Sequence, residues 1–295
     1  MSQKLTFILG LLILIPFIHA KPTKIEPTHT KVSYGPHKPQ NMNIWLAKSD
    51  KPTPVIFIIH GGGWYSGKKD EVLASDYWLK KGVSVVSIDY RLSGENILPT
   101  PVFDAARALQ FVRYKAKAWN FDKTQIALTG GSAGGCTSLW LAFHDDLADP
   151  DSDDPIARES TKPLCAFAHN GQASIEPQWV LDNVGEKAAT HGMLSRSVGS
   201  RGYKDLLANY DAKYKNLSEK FSPRCHMDKN DPPVALKLSF PLSDKGIHSP
   251  WFGIKLKEEA DKKGAKVVIY SKEAHELSLK WSEQNKFLLN QLGLK

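Results

Sequence analysis

The chain has 295 residues, of which 41% are hydrophobic and 24% charged, with a formal net charge of +8. This is an ordinary globular composition, enough for a sizeable core in one large domain or two small ones. The lysines are scattered rather than clustered, and no aromatic-and-basic motif of a nucleic-acid reader is present, so the basic balance fits solubility better than a nucleic-acid partner.

The N-terminus comes first in the chain and stands apart from the rest. Lys4 precedes an apolar run from Leu5 to Ile18 that ends at His19-Ala20, the layout of a secretory signal peptide over residues 1–20. Fourteen apolar residues reach only ~21 Å, short of a ~30 Å hydrocarbon core, which disfavours a retained anchor. A secreted or periplasmic chain is expected, with no stable membrane insertion after cleavage. Residues 21–33, rich in Pro, Lys and Thr, read as a leader, and 34–295 as one domain.

Within that domain strands alternate with helices. Val32–Tyr34 and Met42–Leu46 are predicted as short opening strands, and Val55–Ile59 is a continuous apolar run of the kind buried on both faces of a parallel sheet. Then come a helix over 70–81, a strand at Val83–Ile88, and an amphipathic helix at Pro101–Ala118. A strand at Gln125–Leu128, a helix at Ala133–Phe143 and a strand at Leu164–Ala168 follow. Residues 170–233 break the pattern with mixed helical signals, including Tyr203–Leu217, and are expected to form an insertion of about sixty residues above the sheet, before the penultimate strand. The alternation resumes with strand Val234–Leu238, helix Ser249–Lys263, strand Lys266–Tyr270 and a closing helix near Glu276–Leu292. This order implies an α/β fold, a mostly parallel sheet with helices on both faces.

Two glycine-rich motifs carry the chemistry. Ser132 lies in Gly130-Gly131-Ser132-Ala133-Gly134-Gly135, between a strand and a helix, where glycines give a serine hydroxyl room on a tight turn. A G-x-S-x-G arises by chance in roughly one chain in ten of this length, so its weight depends on its surroundings. His60-Gly61-Gly62-Gly63-Trp64 follows the buried run directly, and three glycines allow backbone N–H groups to converge on one point, as an oxyanion hole requires. His60 in such a loop more often braces it than titrates. The three cysteines allow at most one bridge: Cys136 and Cys165 fall in apolar runs as buried thiols, and Cys225 lies in a polar loop.

With both motifs the chain resembles the α/β-hydrolase superfamily, in its branch of secreted esterases related to hormone-sensitive-lipase-like and polysaccharide acetyl or feruloyl esterases. The resemblance covers about residues 34–292 and includes Asp89-Tyr90-Arg91-Leu92 and Asp231-Pro232-Pro233-Val234. One departure is Gly131, where many relatives carry Asp, Glu or His. The resemblance implies a triad in the order serine, acid, histidine, each after a successive strand end. Ser132 is then the nucleophile, Asp244 the acid after strand Val234–Leu238, and His275 the histidine after the last strand, with Glu273 and Asp231 as fallback acids. His191, His226 and His248 fall before that strand. The N–H groups of Ala133 and of Gly62 or Gly63 would hold the oxyanion, and Trp64 and Trp179 would line a substrate pocket.

The activity so implied is hydrolysis of a carboxylic ester through an acyl-enzyme, removing short acyl groups such as acetyl from polysaccharide or oligosaccharide. The alternatives are a broad short-chain carboxylesterase, a peptidase of related fold, or an inactive hydrolase fold that binds glycans. No cofactor or metal is expected. Asp149-x-Asp151-x-Asp153 imitates the start of a calcium loop, but Asp154 stands where that loop needs glycine and Ser160 where it needs glutamate.

Overall fold

The computed structural model describes residues 25–71, 75–273, 275–280 and 284–294, so the expected signal peptide lies outside the described residues. Nine strands form one sheet among them: β1 (His29–Ser33), β2 (Asn41–Trp45), β3 (Thr53–Ile59), β4 (Ser84–Ile88), β5 (Phe121–Gly131), β6 (Cys165–His169), β7 (Val234–Leu238), β8 (Val267–Ser271) and β9 (Ser278–Lys280). The spatial order is β1-β2-β4-β3-β5-β6-β7-β8-β9. Pairing is antiparallel from β1 to β2 and from β2 to β4, and parallel everywhere else. The mostly parallel α/β sheet expected from the sequence is therefore present.

The central strands read as they do because both faces are covered. Val55, Ile56, Phe57 and Ile59 in β3, and Ile126, Ala127 and Leu128 in β5, are all fully buried. Five helices outside the stretch between β6 and β7 accompany the sheet: α1 (Ser75–Lys80), α2 (Thr100–Tyr114), α3 (Ala133–Phe143), and, later in the chain, α9 (Trp251–Lys263) and α10 (Gln284–Gln291). Between β6 and β7 the chain makes five short helices, α4 (Pro177–Asn183), α5 (Glu186–Ala189), α6 (Gly192–Ser197), α7 (Tyr203–Ala208) and α8 (Lys215–Lys220). Ala188, Met193, Leu194 and Leu206 from this stretch join the main core cluster, so it packs onto the domain as part of it.

Three expectations differ from the structure. β1 forms inside the segment read as a leader. The closing helix starts at Gln284, because Ser278–Lys280 pairs in parallel with β8 as a ninth, edge strand; β7 is thus third from the end rather than penultimate. The early helix covers only Ser75–Lys80 among the described residues.

α2 is tied down by charge as well as by its apolar face. Asp104, 2% exposed, accepts from Arg91 Nε at 2.9 Å and Nη2 at 2.7 Å, from Arg91 N at 2.9 Å, and from Gln40 Nε2 at 2.7 Å. Arg91 is accordingly held above its already high pKa, first by this hydrogen bond. Asp89, the other tempting acid of that loop, pairs with Lys69 at 2.8 Å.

Candidate active site

β3, β5, β6 and β7 are neighbours, and their C-terminal ends converge on Ser132. At the junction of β5 and α3 this serine has φ 53° and ψ −122°, a left-handed backbone that a side chain adopts only when its surroundings impose it. They do so on three sides. Its N–H donates to the carbonyl of His169 in β6 at 2.9 Å, and its carbonyl accepts from Cys136 N at 2.8 Å in the first turn of α3. On the third side the backbone crosses without room: a methyl at Gly134 would meet the Ile59 oxygen at 2.1 Å, and one at Gly130 would meet Gly134 C at 2.5 Å.

The glycine loop after β3 lies against this elbow. A methyl at Gly61 would sit 2.7 Å from the Gly131 oxygen and 3.5 Å from Ser132 Cβ. Gly62 (φ 94°) and Gly63 (φ 62°) turn the loop, whose shape is fixed by Tyr65 N and Ser66 N donating to the Gly62 carbonyl at 3.1 and 3.0 Å. Among the described residues the N–H groups of Gly62, Gly63 and Ala133 have no acceptor. Ala133 opens α3, so its N–H lies at the positive end of that helix. His60 braces the loop: its ring stacks on Tyr90 at 4.1 Å, and the Tyr90 hydroxyl donates to the carbonyls of His60 and Gly61.

The side chain hydrogen-bonded to the serine comes from the loop after β7. His248 Nε2 lies 2.9 Å from Ser132 Oγ. This loop is held by several bonds: Gly246 N donates to Asp244 Oδ1 at 2.7 Å, Ser249 Oγ to the Asp244 carbonyl at 2.6 Å, and buried Gln172 Nε2 to the Ile247 carbonyl at 2.7 Å. The imidazole stacks on Phe240 at 5.5 Å. Burial pushes the His248 pKa down, with a further push from His191 on the segment leading into α6; Asp244 works against both.

The other expected residues are placed as follows. Asp244 lies on the same loop as His248, four residues before it. His275 follows β8, but its Nδ1 accepts from Leu277 N at 3.2 Å and its ring stands edge-on to Trp251 at 6.2 Å; the structure brings His248, not His275, to the serine. The fallback acids serve the framework: Asp231 is buried and paired with Lys162 at 3.0 Å, and Glu273 accepts from Leu242 N at 2.9 Å. Trp64 is 1% exposed and donates to Thr137 Oγ1 at 2.9 Å, so its indole packs in the core instead of lining a pocket. Trp179 donates to Glu259 Oε1 at 3.2 Å, stacks on Phe252 and lies under Arg224, which makes it a joint between α4 and α9. The sequence did hold a signal for His248: a histidine in Gly246-Ile247-His248-Ser249-Pro250, at the end of the acid's own loop and just before a helix.

The acidic stretch is structural where it is ordered by contacts. Asp146 accepts from Thr161 N at 2.7 Å and Asp154 pairs with Arg107 at 2.6 Å. No group of three His, Cys, Asp or Glu arranged to hold a metal occurs among the described residues. The cysteines are all free; burial raises the pKa of Cys136 far above the usual thiol range and that of Cys165 to about 12.

Comparison with known proteins adds the family context. The BD-FAE family model matches residues 42–238, from β2 to the end of β7. An esterase of Gibberella moniliformis (strain M3125 / FGSC 7600) is 34% identical over 105 residues, 34% of this chain and 33% of that protein. The "Probable carboxylic ester hydrolase LipM" of Mycobacterium tuberculosis (strain ATCC 25618 / H37Rv) is 34% identical over 118 residues, 38% of this chain and 27% of that protein. The matched stretch thus spans 33% of the first relative's length and 27% of the second's. Among solved structures, a "truncated form of carbohydrate esterase from gut microbiota" superposes with a TM-score of 0.73 at 22% identity, covering 90% of this chain and 96% of the other. An "acetyl ester-xyloside bifunctional hydrolase" from Caldicellulosiruptor lactoaceticus superposes with a TM-score of 0.66 at 20% identity, covering 86% and 84%. These likenesses show that the fold is shared.

Proposed function

Because the chain belongs to the BD-FAE family of α/β-hydrolases, we propose that it is a serine carboxylic-ester hydrolase that removes short acyl groups, acetyl first among them, from carbohydrate. The observation that carries this reading is the left-handed Ser132 at the end of β5, facing a glycine loop with N–H groups to spare. Ser132 Oγ attacks the ester carbonyl as a histidine takes its proton, and the oxyanion is held by the N–H groups of Ala133 and of Gly62 or Gly63. Such donors act at full strength because the folded backbone fixes them before reaction; losing one typically costs about 2.7–4 kcal/mol of transition-state stabilisation. The imidazolium then protonates the leaving alcohol, and water repeats the sequence on the acyl-enzyme.

The carbohydrate part of the reading draws support from the carbohydrate-esterase and acetyl ester-xyloside hydrolase names of the two structural neighbours, and from the charged-then-apolar N-terminus, which fits a protein exported toward extracellular glycans. A broad short-chain carboxylesterase is the second reading, favoured by the ester-hydrolase relatives that share about a third of the chain. Two measurements test the proposal. A fluorophosphonate should label the wild type at Ser132; an unlabelled wild type, under conditions that label a known serine esterase, overturns the esterase reading. Acetate release from acetylated xylan, set beside hydrolysis of 4-nitrophenyl acetate, tests the substrate, and activity confined to the aryl ester would leave the broad carboxylesterase.

A further inference from the structure

We propose that the candidate site reads a carboxylate on its glycan: a uronic-acid residue of the acetylated oligosaccharide, bound in a cavity beside the glycine loop and paired with Arg196. The inference rests on the carbohydrate-esterase reading above and adds the charge of the sugar, which that reading leaves open.

The cavity is the first argument. Its volume of about 480 Å³ falls within the ~300–1,000 Å³ of small-ligand clefts and leaves room for a sugar ring. The glycine loop stands between it and Ser132. At Gly61 that loop packs on the serine elbow, while His60, Tyr65 and Gly67 line the cavity. The loop after β4 supplies Leu92, Glu95 and Asn96 to the same lining. A glycan that presents an acetyl group to Ser132 therefore has this cavity one loop away for its next sugar.

Arg196, on α6, is the second argument. Its guanidinium Cζ stands 4.8 Å from the centre of the Tyr65 ring, and that ring lies so close to Gly63 that a methyl on the glycine would meet Tyr65 Cε1 at 2.5 Å. The charge is thus held next to the loop that would bind the oxyanion. A guanidinium stacked on an aromatic ring keeps its in-plane N–H donors free for a planar anion. Arg91, Arg107, Arg201 and Arg224 direct those donors to carboxylates, and Arg113 and Arg158 to main-chain carbonyls, whereas Arg196 has no acceptor among the described residues. The Tyr65 hydroxyl and the Lys68 ammonium, both in the cavity lining, are without a partner among those residues too. Of the acids in that lining, Asp89 is taken by Lys69 at 2.8 Å, so Glu95 alone opposes the two cations and the lining stays net positive. Glu95 and Asn96 are placed to bind sugar hydroxyls. α6 is fixed to the same loop after β4: Leu98 N donates to the Ser197 carbonyl at 2.8 Å, and a methyl on Gly199 would lie 3.3 Å from Ile97. An acetyl group carries no charge, so the carboxylate that fits Arg196 belongs to the sugar.

The test compares acetylated xylo-oligosaccharides with and without a glucuronic acid branch, by acetate release, and calorimetric binding of the same two oligosaccharides after deacetylation. The acidic substrate should have a kcat/KM about tenfold higher, and the acidic product should bind about tenfold more tightly. Arg196 is exposed, so both advantages should shrink at high salt. Arg196→Gln should abolish them, and Arg196→Lys should keep part, because lysine retains the charge without the planar fork. An equal loss on both substrates in Arg196→Gln, as a mere clamp on Tyr65 would give, overturns the inference, and so does equal binding of the two oligosaccharides by the wild type. Hydrolysis of 4-nitrophenyl hemisuccinate beside 4-nitrophenyl acetate checks the other source of a carboxylate. An Arg196-dependent preference for the hemisuccinate, with none for the uronic-acid oligosaccharide, places the carboxylate on the acyl group and overturns the assignment to the sugar. If Arg196→Gln fails to fold, the wild-type binding comparison and its salt dependence still decide. A wild type that binds the acidic oligosaccharide preferentially but does not react with a fluorophosphonate would instead overturn the esterase reading and leave the subsite standing.

Discussion

At Ser132 the flanking glycines divide into two kinds according to what surrounds them. Gly134 and Gly130 are forced: a methyl on either would press on backbone atoms at 2.1 to 2.6 Å, and backbone in the middle of a sheet cannot step aside. Gly131, the position where the sequence departs from its relatives, is not forced. A methyl there would meet only the His169 oxygen, at 3.9 Å, and its φ is not in the left-handed region. The two positions therefore give opposite predictions in a denaturant melt. Gly134→Ala should lose about 1–3 kcal/mol through overpacking, with loss of esterase activity as the elbow shifts. Gly131→Ala should gain about 0.4–1 kcal/mol, because alanine narrows the unfolded ensemble at a position it can occupy. A stabilised Gly134→Ala would show that the elbow yields more easily than its contacts imply.

Among the elements, α2 shows how one charged side chain can fix a whole helix against its neighbours. Asp104 takes four hydrogen bonds from Arg91 and Gln40, linking α2 to the loop after β4 and to the turn before β2. Removing the acid leaves an arginine and an amide without partners next to a closed core, which costs about 3–5 kcal/mol. Asp104→Ala should show that loss in a urea titration; a change under 1 kcal/mol would mean that water replaces the carboxylate. How much of these elements could be read from the sequence follows from their contacts. β3 is legible because burial on both faces leaves an unbroken apolar run at Val55–Ile59, and β4 and β5 through the shorter buried apolar stretches Val85–Val86 and Ile126–Leu128. The helices between β6 and β7 run only four to seven residues, too few turns for a periodic pattern to register. The sequence of β9 reads as helix because three edge residues pair only through β8, a contact that local pattern does not carry. The same reason separates the two halves of the site. The elbow and the glycine loop are local motifs and could be read directly. The histidine that reaches Ser132 depends on how Gln172, Asp244 and Ser249 fold the loop after β7, and those bonds are tertiary.

For the molecule as a whole, the half-buried histidines set how stability varies with pH. His169, whose carbonyl holds Ser132 N, has its pKa pushed down to about 4, first by burial and then by Lys237. In the unfolded chain a histidine titrates near 6.5. Below that pH the unfolded state takes up a proton that the folded state refuses until about pH 4, so folding stability falls as pH drops from about 6.5 toward 4. His191, His226 and His248 are shifted in the same direction and add to the effect. Urea midpoints measured from pH 7 to pH 4 should therefore decline, and His169→Gln should flatten the decline; an unchanged slope in that variant would remove His169 from the account. The candidate site also draws on the ends of four adjacent strands, with its closest side-chain contact joining residues 116 positions apart. Contacts this distant in sequence form only after long loops have closed, late in the assembly of a parallel sheet. No half-built sheet would hold Ser132 in its left-handed turn with His248 upon it. During refolding from denaturant, the return of a reactive serine would therefore act as a clock for completion of the entire domain, striking only once β7 has docked beside β6.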